Sequence, residues 1–117
     1  MIKIIAVMRP KPGVSAEEFK RYYEEQHAPL VSSFYPELKI YRRNYVEVVS
    51  RKPAGAVDDF PFLVFTEAYV EDEEAFRAFR EKAAHPDVRS AIDTDEARFV
   101  DRDSIWILRV DERQTEA

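Results

Sequence analysis

The sequence predicts an α+β domain, a four-stranded antiparallel sheet with both helices on one face. Three observations predict it. The apolar segments run in the order strand, helix, strand, strand, helix, strand, which is the split β-α-β-β-α-β arrangement of ferredoxin-like folds. The chain has 117 residues, enough for one domain with a single core, and 45% of them are hydrophobic. The strands are apolar on both of their alternating sets. Ile2, Ile4, Ala6 and Met8 oppose Ile5 and Val7, and Ile105 and Ile107 oppose Trp106, Leu108 and Val110. A sheet with one face in water alternates with polar residues. Here the second face also needs cover, and a second copy of the chain is the simplest source. A homodimer joined sheet to sheet is therefore expected.

The first strand is "IKIIAVM", residues 2–8, β-branched and ended by "RPKPG". Ser15 and Glu18 have capping-box spacing, and Val14 and Phe19 are placed for a hydrophobic staple, so a helix starts near Ala16. Phe19, Tyr23, Gln26, Leu30 and Phe34 form its apolar stripe, with His27 on the edge beside Tyr23 and Phe34. Pro29 disturbs this helix. It offers no amide to the Glu25 carbonyl and pushes Ala28 from helical dihedrals, so the helix kinks or restarts with Pro29 in its first turn. Either outcome opens the backbone beside His27.

Residues 38–49 read as a Tyr- and Val-rich strand, "RKPAGAVDD" as a loop, and residues 60–70 as a third strand that tolerates Pro61 only near its start. Residues 71–85 form a helix whose acidic start and basic end suit the dipole. "PDVRSAIDTDEARFVD" is expected to be a short helix before a loop, residues 104–110 the fourth strand, and residues 111–117 a frayed tail after a single domain at 1–110.

Composition narrows the function. A net charge of −5 with no basic, aromatic-interleaved patch opposes nucleic-acid binding. The absence of cysteine removes disulfides, thiolate metal sites and cysteine nucleophiles. No apolar run approaches a membrane span and "MIKIIAVMRP" is no signal peptide, so a soluble, cytoplasmic protein is the default expectation. Gly13 and Gly55 are isolated, which speaks against a phosphate loop, and no Gly-x-Ser-x-Gly element occurs. His27 and His85 lack the spacing of a structural zinc site, so no metal is expected, and a mixed histidine and carboxylate site built by the fold has no signal in the sequence.

Chemistry then falls to His27. An imidazole titrates near neutrality and can take and return a proton without a cofactor. The competing reading has it cap the disrupted turn by bonding a freed carbonyl. His85, before Pro86, reads as a helix terminator with its ring favourable to the dipole. Glu67 shares a strand face with Leu63, Phe65 and Tyr69, so burial is expected to raise its carboxyl pKa, unless it simply reaches water at an edge. Tyr23 stands beside His27, and Tyr41, Asn44 and Tyr45 offer phenol and amide groups to a pocket wall. "DTDEARFVD" lacks the EF-hand glycine and reads as a solvated face rather than a calcium loop.

"FKRYYEEQHAPLV", "KIYRRNYV", "FTEAYVEDEEAFRAF" and "DEARFVD" occur in that order. Through them the chain resembles the EthD family of the dimeric α+β barrel superfamily, over about Ile2 to Val110. The matching residues are His27, Pro29, Leu30 and Val31, then Tyr41 and Asn44, Glu67, and Asp95 with Phe99 and Asp101. Tyr69 departs from the pattern, standing where an aromatic pair often occurs. The resemblance implies a protomer whose sheet packs on its twin to close a barrel, and a cleft between sheet and helices into which His27 points. It also implies cofactor-free chemistry of the kind relatives perform, such as muconolactone isomerisation or dehydration and decarboxylation of aromatic polyketide-like compounds. His27 is then the candidate catalytic acid or base, with Glu67 or Tyr41 orienting ring or substrate. Tyr23, Tyr41, Asn44, Glu67 and Asp95 are candidate substrate-binding residues. The alternatives are a non-catalytic small-molecule-binding or accessory dimer, and a cofactor-free monooxygenase.

Overall fold

The computed structural model describes residues 1–116, and Ala117, the end of the expected tail, lies outside them. Four strands, β1 (Ile2–Met8), β2 (Ile40–Tyr45), β3 (Val64–Val70) and β4 (Trp106–Val110), form one sheet in the order β2-β3-β1-β4. Every neighbouring pair is antiparallel. β2 and β3 are shorter than their apolar runs. Pro61 has no amide to give the ladder, and residues 46–63 form a loop that carries Phe60 and Phe62 against Phe65.

The helices lie over one face of this sheet. α1 (Ala16–Tyr22) starts where Ser15 Oγ accepts the Glu18 amide at 3.1 Å. From Tyr23 to His27 the chain makes a π-helical turn, in which the Ala28 amide donates to the Tyr23 carbonyl, and α2 (Ala28–Phe34) continues from it without a break. The expected loss of helical geometry at Ala28 does not occur, since its φ and ψ are −61° and −44°. The wider turn relieves the crowding that a proline ring imposes on the preceding turn, and Pro29 sits in the first turn of α2, where a missing amide costs least. The extra residue also rotates the side chains beyond it about the helix axis. Gln26, placed by simple periodicity in the apolar stripe, is exposed, and His27, placed on its edge, is only 4% exposed.

α3 (Glu73–Ala84) is capped by Asp72, whose Oδ1 accepts the Ala75 amide at 2.9 Å. The segment expected to be a short helix is an 11-residue one, α4 (Pro86–Glu96). His85 serves it: its Nδ1 accepts the Asp87 amide at 3.2 Å, so the ring caps the start of α4 instead of meeting the dipole of α3. After a 3-10 turn at Arg102–Ser104 the chain enters β4. Residues 111–116 have no regular element, although Glu112 accepts from Lys3 and Tyr69.

Strand parity divides the sheet. Met8 and Val64 pack with Phe19, Tyr23, Phe99 and Val100 beneath the helices, and Phe19 is wholly buried. Ile5, Val7, Phe65, Glu67, Trp106 and Leu108 take the opposite face by their register. Among the described residues no helix covers that face. Trp106 is 60% exposed there and Leu108 42%.

Candidate active site

A cavity of about 490 Å³ lies between the sheet and the helices. Ile4, Ala6 and Met8 of β1, and Thr66 and Ala68 of β3, form its floor. Tyr23 and His27 enter it from the π-helical turn and Tyr41 from β2. Residues four apart in that turn share a face, which is how one short segment supplies both rings.

His27 is held on three sides. Tyr23 packs edge-on at 4.8 Å between ring centroids and Phe99 lies at 5.2 Å. The third contact is polar: His27 Nδ1 is 2.6 Å from Asp95 Oδ2. Asp95 is itself buried in α4, and its other oxygen accepts the Tyr22 hydroxyl at 2.7 Å. A carboxylate that accepts on both oxygens places the imidazole proton on Nδ1 and leaves the Nε2 lone pair toward the cavity. Burial pulls the His27 pKa below its ordinary 6.5, against the opposing pull of Asp95. The ring is therefore neutral at pH 7, in the form that accepts a proton.

Two phenols stand near it. The Tyr23 hydroxyl is 2.7 Å from Thr66 Oγ1 and accepts the Tyr41 hydroxyl at 3.4 Å. Burial raises both pKa values, so both remain protonated donors. The Tyr22 pKa rises to about 12, first through burial and then through its bond to Asp95.

The candidate residues thus separate. His27, Tyr23 and Tyr41 meet in the cavity, and Asp95 reaches them as the partner of the ring, not as part of the cavity wall. Glu67 and Asn44 lie on the other face of the sheet. There the Asn44 amide donates to Glu67 Oε1 at 2.8 Å and Lys3 Nζ stands 2.8 Å from Oε2. The expectation of a raised Glu67 pKa is overturned. The Lys3 ammonium, aided by Asn44, holds it below the ordinary value. Periodicity shows which side chains share a face but not that Lys3 stands diagonally across from Glu67. Thr66, Tyr22 and Glu96 carry no motif of their own. Their signal is positional only: Tyr22 precedes Tyr23, and Glu96 comes directly after Asp95.

Comparison with known proteins agrees with this architecture. The Arabidopsis thaliana protein At3g17210 is 16% identical over the whole of both chains, with a TM-score of 0.65. An ethyl tert-butyl ether D (EthD) family protein of Bacillus halodurans is 19% identical over 97% of this chain and 100% of its own, at 0.62. HapK of Hahella chejuensis is 12% identical over 100% and 97%, also at 0.62. Two further ferredoxin-like structures, from Bacteroides fragilis and Thermobifida fusca, are described as dimeric. No curated protein matches the sequence. Among the described residues no helix is long and apolar enough to cross a membrane. The EthD domain matches residues 11–103, a span that includes His27, Asp95 and the strands between them, and the chain belongs to the EthD family.

Proposed function

We propose that this protein is a cofactor-independent enzyme that isomerises, dehydrates or decarboxylates a small carbonyl-bearing or aromatic compound. His27 is its proton-transfer group. One observation carries the reading: His27 Nδ1 is fixed to the buried Asp95 carboxylate, and the ring lines a cavity of small-molecule size. The Asp95 bond sets the tautomer and stabilises the imidazolium formed when Nε2 takes a proton. Tyr23 and Tyr41 provide donors that orient an oxygen of the substrate, and the apolar floor holds its body.

The test uses a panel of lactones, hydroxylated aromatics and diketones. Selective shifts of the His27 ring signals identify the class that binds. With a substrate of that class, His27→Ala should lose about a hundred- to ten-thousandfold in rate while circular dichroism stays native. Full turnover by the variant overturns the reading. The acid limb of the rate profile should lie below pH 6.5, as the depressed His27 pKa requires.

We also propose that the protein works as a homodimer through the exposed sheet face. The exposure of Trp106 and Leu108 supports this, as do the dimers among its structural relatives. Sedimentation should give twice the chain mass, and a monomer at micromolar concentration would refute the assembly.

A further inference from the structure

The cavity contains a second titratable group, to which the chemistry of His27 assigns no part. Glu96 ends α4 immediately after Asp95 and lines the same cavity as His27. Its side chain is only 14% exposed. The one cation within 4 Å among the described residues is Arg102, whose Nε lies 3.6 Å from Oε1, beyond hydrogen-bond reach. Arg102 instead directs Nη2 to Asp93 Oδ1, at 2.7 Å. Glu96 is thus largely removed from water with a cation beside it that does not hydrogen-bond, and burial outweighs that cation in favour of the protonated carboxyl.

The other groups around it point the same way. Asp93 and Asp95 on its own helix repel a second negative charge, and Tyr35, at the end of α2, feels the Glu96 charge in turn. Arg80 of α3 and Arg89 of α4 line the cavity too, but both are exposed. Burial, opposed by Arg102 and aided by Asp93 and Asp95, lifts the Glu96 pKa to about 7. A neutral His27 and a protonated Glu96 coexist in one cavity near neutral pH. Two groups driven apart in this way are suited to be base and acid of one reaction.

We propose that Glu96 is a second catalytic group of this cavity, the acid where His27 is the base, and that its substrates are enolisable carbonyl compounds. This rests on the acid–base reading of His27. His27 Nε2 takes a proton from the carbon next to the carbonyl. The C–H electron pair becomes the new C=C bond, and the carbonyl π pair moves to oxygen, where it takes the Glu96 proton. The enol is neutral, the imidazolium is held by Asp95, and Glu96 is left as carboxylate. Reversal returns a proton to the same or another carbon and restores both residues, with no co-reactant consumed. A developing enolate thus meets a donor before it carries full charge, which lowers the barrier to breaking the C–H bond.

The probe is 2-tetralone, a bicyclic aromatic ketone whose exchange of α-protons for deuterium is tracked by NMR. The wild-type protein should speed exchange between an acid limb set by His27 and an alkaline limb near pH 7. Glu96→Gln should slow exchange by about a hundredfold and remove the alkaline limb, with His27 ring signals unchanged. A carbon-13 titration, assigned with the same variant, should place the Glu96 carboxyl midpoint near 7. A midpoint near the ordinary 4.5 overturns the proposal whatever the exchange shows. So does exchange lost in His27→Ala but unchanged in Glu96→Gln, which leaves the His27 reading intact. No exchange by the wild type overturns both.

Discussion

Glu67 and Glu96 carry the same side chain on opposite sides of one sheet, and their surroundings drive them in opposite directions. Glu67 faces away from the helices, within reach of the Lys3 ammonium and the Asn44 amide, which hold its carboxyl below the ordinary 4.5. Glu96 faces the cavity with Arg102 beyond hydrogen-bond distance, and burial lifts it to about 7. Both side chains are poorly exposed. What separates them is burial, the main cause of the Glu96 rise, together with the hydrogen-bonding cation that Glu67 has and Glu96 lacks. The outer face puts a lysine in hydrogen-bond contact with its carboxylate and fixes a charge, whereas Glu96 on the inner face lies buried with its nearest cation, Arg102, turned to Asp93. A fixed charge cannot exchange a proton near neutrality, whereas groups that change charge there can.

After loss of His27 itself, the most damaging change to the inner face should be Asp95→Asn. The asparagine amide can donate to His27 Nδ1, which moves the ring proton to Nε2 and turns the base into a donor facing the cavity. Exchange of 2-tetralone should fall about a hundred- to ten-thousandfold, equivalent to about 3 to 5 kcal/mol of barrier. Nitrogen-15 spectra of the ring report the tautomer directly. An unprotonated Nε2 with an undiminished rate would show that Asp95 does not position the ring.

A smaller effect, on stability, distinguishes the glutamates by sign. A carboxyl raised from 4.5 to about 7 on folding adds stability that is complete below pH 4.5 and disappears as pH rises through 7. Glu96→Gln mimics the protonated form at every pH. At pH 8 it should exceed the wild type by up to about 3 kcal/mol in denaturant unfolding, and the difference should close near pH 4.5. Equal stability at both pH values would mean that Glu96 ionises as freely in the fold as in the unfolded chain.

The element order was legible because each segment carries its own period, and Ser15 marks the start of α1 without help from the rest of the chain. His27 was legible because Pro29 flags a disturbed turn two residues later. What that disturbance does was not. A π-helical turn and a kink satisfy the same local sequence, and only the packing of Tyr23 and His27 beneath the sheet selects the turn that buries both. The Asp95 partnership spans 68 positions and joins two helices, so no local spacing could show it. In the motif Asp95 and Glu67 looked equally site-like. Parity puts Glu67 with Phe65 and Tyr69, but the face that the helices cover is decided by tertiary packing. Glu96 was hidden in an acidic run that resembles a solvated helix face until α4 turns one side of it inward.

The gentlest test of the two-sided arrangement is Glu67→Gln. Because the native carboxyl is depressed, its contribution is present above pH 4.5 and is lost as pH falls through its lower folded value. Glutamine keeps an acceptor for Asn44 and Lys3, and Glu112 still holds Lys3 at 2.7 Å. The variant should therefore be less stable at pH 7 by about 1 kcal/mol or less, and the gap should narrow as pH falls through the lowered folded value. The direction with pH is opposite to that of Glu96→Gln, which separates a lost cation pair from a removed buried acid. Exchange of 2-tetralone should stay within about twofold of wild type, because among the described residues neither Glu67 nor its partners Lys3 and Asn44 line the cavity. A large loss of exchange would carry Glu67 into the chemistry through the sheet and end the division between a face that holds charge and a face that transfers protons.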